Sequence, residues 1–346
     1  MESPLPIALV LGHRFASLDS ERAALAGIAI VLDGNTLSGE QLADALKATS
    51  VVLLGTRGRL EADTIATMSN CRAIVRYGVG VDNVAVDQAT AQGIAVIRIP
   101  DYCVDEVSDH TVALILAASR RLLAGYEAAR RNDWGSHVMK GTARLGTQTV
   151  GIVGFGRIGH EVARKVLPLV ARVLAYDPFV PDAQVIDHGA SPVGLDSLLR
   201  ESDFVAVNCP LTEQTRHLFY AETLAKMKPT AWLINTARGE ILKEDDLIEA
   251  LESGQIQGVA LDVLAEEPPA PDSPLLRMPN AIVTPHVAWY SEDALHDLQR
   301  LAAEQARRVL AGETPQGVVN LRAMSGSQEE TQVTDSKGLP ENRGTP

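Results

Sequence analysis

The amino-acid sequence predicts an α/β protein built from two doubly wound parallel-sheet domains. Three features carry that prediction. Short apolar runs alternate with helical stretches from residue 7 to residue 99 and again from 150 to 283, the rhythm of strand–helix–strand units with parallel strands. A glycine-rich turn, Gly154-Phe155-Gly156-Arg157-Ile158-Gly159, opens the second series. Two long amphipathic stretches, 104–123 and 293–310, punctuate the chain. The first domain is therefore expected to be discontinuous, 1–103 with 292–322, around a second domain of 104–291.

In the first series the strand candidates are Ile7–Leu11, Ile28–Leu32, Val51–Leu54, Ala73–Tyr77 and Ile94–Ile97, with helical stretches such as Gln41–Lys47 and Ala62–Met68 between them. Val104–Leu123 reads as one helix, because Val107, Thr111, Leu114, Ile115, Ala118 and Leu122 recur at three- and four-residue spacing. Tyr126–Leu145 is polar, is interrupted by Gly135 and Gly141, and reads as an arm. The second series offers six strands: Val150–Val153, Val173–Tyr176, Phe204–Val207, Ala231–Ile234, Val259–Leu261 and Ala281–Val283, with a helix over Ile158–Val170 after the first. Asp293–Leu310 is the second long helix. From Ala323 to Pro346 hardly an apolar residue occurs, so this tail buries too little surface to offset its ordering entropy and is expected to be disordered.

At 346 residues the chain is long enough for two cores. Its 46% hydrophobic and 22% charged residues are those of a globular protein, and no apolar run approaches the length of a membrane span. A net charge of −13, with no basic patch larger than Arg120-Arg121 or Arg130-Arg131, argues against nucleic acid and anionic membranes as partners. The N-terminal segment lacks the marks of a secretory signal. Three cysteines, Cys71, Cys103 and Cys209, fit a reducing, cytoplasmic setting; they lack metal spacing, no metal site is expected, and each reads as a small buried hydrophobe.

The glycine turn is where chemistry enters. Gly154 suits the tight turn, Gly156 lets backbone approach a pyrophosphate, and Gly159 lets the following helix pack on the strand, while the N–H groups opening that helix face the phosphates. Asp177 stands eighteen residues after Gly159, at the end of Val173–Tyr176, where a carboxylate accepts both hydroxyls of an adenosine ribose. No Arg or Lys occurs between Asp177 and Asp182 to receive a 2′-phosphate, so NAD is favoured over NADP.

Three further segments fall at strand ends of the same half: Asn235-Thr236-Ala237-Arg238-Gly239, Ala260 to Pro268, and Thr284-Pro285-His286. They bring one guanidinium, one carboxylate and one imidazole to the cofactor's edge. Those are the groups needed for hydride transfer between a nicotinamide and a 2-hydroxy acid. Arginine grips a carboxylate in a planar, bidentate way, histidine gives or takes the hydroxyl proton, and an acid on the other ring nitrogen fixes its tautomer. Glu266 competes with Glu267 for that last role. Arg57 and Arg59 follow Val51–Leu54 and read as a solvated loop or as a meeting point for a substrate phosphate.

In Arg76-Tyr77-Gly78-Val79-Gly80-Val81-Asp82-Asn83-Val84, the glycine turn, Asn-Thr-Ala-Arg-Gly, Asp262-Val-x-x-x-Glu-Pro and Thr-Pro-His, the chain resembles the NAD-dependent D-2-hydroxyacid dehydrogenases, from about Val51 to Asn320. The resemblance implies a flavodoxin-like substrate domain and a Rossmann NAD-binding domain, with the active site in the cleft between them. It implies Arg238, Glu267 and His286 as catalytic residues, Glu267 partnering the histidine. It implies cofactor contacts from Gly154, Gly156, Arg157, Ile158, Gly159, Asp177, Cys209, Pro210, Thr236, Ala237, Arg238 and His286, with Thr111 at a phosphate and Asp262 at the nicotinamide carboxamide. Substrate contacts would come from the N–H groups of Val79 and Gly80 and from Arg238 and His286. Arg76 reads either as lining the pocket or as a domain-interface ion pair, and Ala288-Trp289 stands where many relatives carry Gly-Gly or Gly-Ala, so Trp289 reads as an aromatic wall of the substrate pocket. The partner would be a small 2-oxo or 2-hydroxy carboxylic acid, and the assembly a homodimer. Within the family, Ile74-Val75-Arg76, Asp109-x-Thr111 and the run Thr284–Glu292 resemble the corepressor-like C-terminal binding proteins. Leu264, often aromatic in the family, and Asn208, often histidine, depart from the commoner pattern. An NAD(H)-sensing scaffold and a phosphoglycerate dehydrogenase are the alternative readings.

Overall fold

The computed structural model describes residues 4–321, and all counts of elements are of those residues. Two compact units result. One runs to Ile99 and resumes at Gln299; the other is Pro100–Leu298. The second boundary lies inside a continuous helix, Glu292–Ala311, so no turn residue marks it. The tail 323–346, expected to be disordered, lies outside the described residues.

In the first unit, β1 (Ile7–Leu11), β2 (Ile30–Asp33), β3 (Val51–Leu54), β4 (Ala73–Arg76) and β5 (Ala95–Ile97) form a parallel sheet in the order β2-β1-β3-β4-β5. This is the flavodoxin-like order. The central strands are apolar on both faces because helices cover both: all four residues of β3 are fully buried. β2 starts two residues later than its apolar run, since the Ile28 and Ala29 N–H groups both turn back to the Leu25 carbonyl. The β5 edge is closed late in the chain. Ile97 bridges Val318, the Val319 N–H donates to the Val96 carbonyl, and Asn320 Oδ1 accepts from the Val96 N–H at 2.7 Å.

The second unit holds β6 (Thr149–Val153), β7 (Arg172–Tyr176), β8 (Ser191–Pro192), β9 (Phe204–Val207), β10 (Trp232–Asn235), β11 (Gly258–Leu261) and β12 (Ala281–Val283). All are parallel, in the order β12-β11-β10-β9-β6-β7-β8. The order turns back between β6 and β9, which makes their carboxyl ends the topological switch point where ligands bind in such sheets. Side chains alternate between two core layers. Val153, Val205, Val207, Leu233, Val259 and Leu261 face one. Ile152, Phe204 and Ile234 face the other, under helices Val104–Ser119 and Arg157–Val166 through Leu114, Ile115, Val162 and Val166.

Three expectations are corrected. The sheet has a seventh strand, β8, two residues long with a proline; it pairs only with β7, and such an edge position tolerates proline. The single helix over 104–123 breaks, because Arg121 takes the left-handed conformation at φ 45° and Leu122–Arg130 starts afresh. The helix after the glycine turn ends at Val166, where Pro168 leads it into a 3₁₀ turn over Leu167–Leu169. No helix among the described residues is long and apolar enough to cross a membrane.

Candidate active site

The glycine turn leaves β6 at Gly154, whose φ of 92° suits glycine. A Cβ there would stand 2.4 Å from the Cys209 nitrogen, and one on Gly159 2.3 Å from the Gly154 carbonyl oxygen, so both glycines are required for close packing. Gly156 differs: nothing lies within 4 Å of its Cβ position, so there is open space over the first turn of helix Arg157–Val166. Asp177, at the end of β7, is tied to this turn. Its Oδ2 accepts from the Phe155 N–H at 2.8 Å and its Oδ1 from the Phe179 N–H at 2.9 Å. A carboxylate has roughly four acceptor positions, so two remain for ribose hydroxyls. Exposed glycine backbone, a helix N-terminus and a half-used carboxylate together fit a dinucleotide. Ile158 packs into the core behind them.

Other expected cofactor residues lie in the same unit with their bonds already made. The Arg157 guanidinium pairs with Asp101, a partner that nothing in the sequence pattern marks. Thr111 is fully buried; its hydroxyl donates to the Val107 carbonyl and meets the Thr236 hydroxyl at 2.8 Å, so it buttresses Thr236 from within the protein. Cys209 is buried, and burial pushes its thiol up to about 11, which keeps it an inert neighbour of the turn. Pro210 is exposed on the same loop, and its carbonyl accepts from the Thr215 hydroxyl.

The Asn-Thr-Ala-Arg-Gly segment is shaped by Asn235, a fully buried amide that the sequence reading passed over. Its Oδ1 accepts from the Ala237 N–H at 3.0 Å, and its Nδ2 donates to the Arg238 carbonyl at 2.8 Å. Asparagine's habit of bonding backbone two or three residues on was the available signal. Arg238 is half-buried and donates from Nη1 to the Ala237 carbonyl at 2.7 Å. A Cβ on Gly239 would collide with Leu264 backbone at 1.9 Å, so this turn lies directly against the Leu264–Glu267 segment.

His286 Nδ1 stands 2.6 Å from Glu267 Oε2, while Glu267 Oε1 accepts from the Leu264 N–H at 3.0 Å. A carboxylate only accepts, so Nδ1 carries the proton and Nε2 is left for other work. Burial alone would push the Glu267 carboxyl up. The hydrogen bond and charge of His286, the Leu264 N–H and the charge of Arg238 outweigh it, and the carboxyl lies below its ordinary 4.5. His286 and Glu267 side chains remain 40% and 35% exposed, open enough to meet a ligand. Of the two candidate acids, Glu267 rather than Glu266 meets the histidine.

The loop carrying His286 hangs on Asp262, whose residue is 1% exposed. Oδ1 accepts from the Thr284 hydroxyl at 2.6 Å and the Val287 N–H at 3.0 Å, Oδ2 from the Ala288 N–H at 2.8 Å. His110 Nε2 meets the Thr284 hydroxyl at 3.0 Å from the other side. Three of roughly four acceptor positions of Asp262 are thus used on the loop, leaving about one for a carboxamide. His286 itself is left-handed at φ 55°, its N–H donating to the Asp262 carbonyl at 2.9 Å. The Trp289 indole donates to the His286 carbonyl at 3.1 Å and packs 6.1 Å from the Tyr102 ring, centroid to centroid.

Arg76, Val79 and Gly80 belong to the first unit. Arg76 ends β4 and donates from Nη1 to the Tyr77 carbonyl at 2.6 Å; Val79 and Gly80 are half-buried in the following turn. Asn83 ties that turn to the loop after β3 by donating to the Gly55 and Gly58 carbonyls, and on that loop Arg59 pairs with Glu61.

Comparison with known proteins identifies the family. The family profile described as "D-isomer specific 2-hydroxyacid dehydrogenase, NAD binding domain" matches residues 112–288. The D-3-phosphoglycerate dehydrogenase of Methanocaldococcus jannaschii is 36% identical over 286 residues, 82% of this chain and 54% of that protein. The chain thus spans about half the length of the curated phosphoglycerate dehydrogenases it matches. A glyoxylate reductase of Thermofilum pendens is 35% identical over 295 residues, 82% of this chain and 85% of that protein. Among solved structures, the holo form of Rhodotorula graminis D-mandelate dehydrogenase superposes with a TM-score of 0.83 at 27% identity, covering 92% of this chain and 98% of that one. The chain belongs to the D-isomer specific 2-hydroxyacid dehydrogenase family, and its second unit carries that family's NAD-binding domain.

Proposed function

We propose that this protein is an NAD-dependent oxidoreductase interconverting a 2-oxo acid and a D-2-hydroxy acid. The observation that carries the reading is the 2.6 Å bond from His286 to Glu267, with the Arg238-Gly239 turn lying against the Leu264–Glu267 segment. When bound, the dinucleotide would supply one hydrogen nucleus with its two electrons to C2 of the substrate, or take them up. Glu267 holds the Nδ1 proton of His286, so that Nε2 faces the substrate oxygen and passes it a proton in reduction or removes one in oxidation. Arg238 binds the substrate carboxylate with its planar guanidinium and favours the charge developing on the neighbouring oxygen. Thr236 and Ala237 lead into Arg238 and contribute cofactor contacts, and Asp177 reads the adenosine ribose in the absence of a basic neighbour for a 2′-phosphate. Trp289 lines the substrate's side-chain pocket with an aromatic face.

A panel of 2-oxo acids with NADH and NADPH side by side tests this. Arg238→Ala and His286→Ala are each expected to lower kcat/KM at least about a hundredfold, about 2.7 kcal/mol of transition-state stabilisation, with NADH binding retained. Trp289→Ala is expected to raise KM for bulky 2-oxo acids more than for glyoxylate. Near-normal turnover in the Arg238 or His286 variant would remove the assignment.

Two narrower readings attach to this family. The glyoxylate reductase and phosphoglycerate dehydrogenase relatives make small and phosphorylated acids the first substrates to include in the panel. The run Thr284–Glu292 supports a C-terminal-binding-protein-like scaffold, which would bind NADH and turn over little. We place the protein in the cytoplasm as a homodimer; Leu122, Leu123, Tyr126 and Trp134 are large apolar side chains 61%, 44%, 58% and 75% exposed, and they are available to a second copy. Light scattering on a Trp134→Glu variant tests that assembly.

A further inference from the structure

Asn208 directly follows β9 at the switch point. Its N–H donates to the Val153 carbonyl at 2.7 Å, and the β9 registers with β6 and β10 place it beside Gly154 on one side and Thr236 on the other. Val207 and Cys209 belong to one core layer and Phe204 to the other. The period of two therefore puts the Asn208 side chain on the face of Ile152, Ile234 and the glycine-turn helix. Both its amide oxygen and its amide nitrogen are buried and have no hydrogen-bond partner. A side chain with one strong acceptor and two donors, all unmet, is unfavourable in the protein alone and points to a ligand. The residue as a whole keeps some exposed surface where the chain leaves β9 at the sheet's carboxyl end.

We propose that the Asn208 carboxamide binds the ribose on the nicotinamide side of the dinucleotide. This rests on the NAD reading above. Asp177 closes β7, the glycine turn closes β6, and Asn208 closes β9, on the far side of β6 from β7. Neighbouring strands lie roughly 4.8 Å apart, so a dinucleotide whose adenosine ribose meets Asp177 and whose pyrophosphate crosses the glycine turn brings its second ribose over β9. Beyond lie β10, β11 and β12, which lead into Arg238, Asp262 and His286. The chemistry agrees with the position. A pyrophosphate offers only acceptors and would leave the amide oxygen unmet, whereas ribose hydroxyls both donate and accept.

The test is calorimetric binding of ADP, ADP-ribose and NADH to the wild type and to Asn208→Ala, with thermal melting of each protein alone. ADP lacks the second ribose; the other two carry it. NADH and ADP-ribose are expected to bind about tenfold more weakly to the variant, the loss of one or two net hydrogen bonds, with ADP binding unchanged. The melting temperature of the ligand-free protein should not fall, because no protein hydrogen bond is lost. Asn208→Asp, which keeps the shape but removes the donor and adds charge, should weaken the same two ligands. Equal weakening of ADP, unchanged affinity for NADH and ADP-ribose, or a lower melting temperature without ligand would each overturn the proposal. A wild type that binds none of the three would instead overturn the NAD reading itself.

Discussion

Asp262 offers the sharpest separation between holding a ligand and holding a loop. Its carboxylate takes three hydrogen bonds from the segment bearing His286: the Thr284 hydroxyl and the N–H groups of Val287 and Ala288. Asparagine keeps the shape and one oxygen. With that oxygen in the Oδ1 position, the Thr284 and Val287 bonds persist, and the new amino group faces the Ala288 N–H, donor against donor. Ala288 is 4% exposed, so water does not readily replace the lost bond, whereas Val287 is 40% exposed. One bond to a charged acceptor plus one unmet buried donor amounts to about 2 kcal/mol for Asp262→Asn. Asp262→Ala loses all three bonds and should cost about 3–4 kcal/mol, less than three full bonds because water reaches Val287. If the cost appears as local opening, 2 kcal/mol is about thirtyfold in the exchange of the amides of His286, Val287 and Ala288, since 1.4 kcal/mol is a factor of ten. Hydrogen–deuterium exchange resolved at those residues, beside kcat/KM, is the assay. Unchanged protection at 286–288 in Asp262→Asn, with NADH affinity alone reduced, would refute the reasoning and return Asp262 to the cofactor.

Other consequences are simpler to check. The Glu267 carboxyl titrates below 4.5 in the folded protein, so its contribution is complete above about pH 4.5 and disappears as pH falls through the lower folded value. With about a third of its side chain exposed, screening keeps that contribution under about 1 kcal/mol. The difference in melting temperature between wild type and Glu267→Gln should accordingly be constant at neutral pH and vanish on acidification; a difference that grows in acid would contradict it. Arg157 is held by Asp101 in an exposed ion pair worth at most about 1 kcal/mol; if the guanidinium serves a cofactor phosphate, Asp101→Asn should tighten NADH up to about fivefold at low salt. That gain should be lost near 1 M salt, where the screening length falls to about 3 Å.

Much of this was legible in the residues because the features are local. A buried parallel strand writes itself as an apolar run, and β3, β6, β9 and β11 appear where such runs fall. The glycine turn is equally legible, since Gly154 and Gly159 have backbone within 2.4 Å of where a side chain would stand. What escaped depends on partners distant in sequence. β8 has two residues and borrows its strand character from β7 alone. Nothing near Arg121 marks the helix break; its Nη1 donates to the Lys140 carbonyl, nineteen residues on. Thr111 carried a sound motif, yet only the approach of Thr236 shows its hydroxyl turned inward. The inward amide of Asn208 likewise follows from strand order, which no local pattern contains.

The bridge from Ile97 to Val318 bears on the order in which a growing chain becomes structured. Pro100–Leu298 is one uninterrupted stretch, complete once its last residue clears the ribosome, while the sheet begun by Ile7 waits for residues synthesised more than two hundred positions after β5. The usual sequence, N-terminal portion first, should thereby be inverted. A nascent polypeptide stalled shortly after residue 298 has emerged should resist protease across 100–298 and be cleaved within 4–99. Protection appearing in the reverse order would mean that the first sheet tolerates an open edge during synthesis.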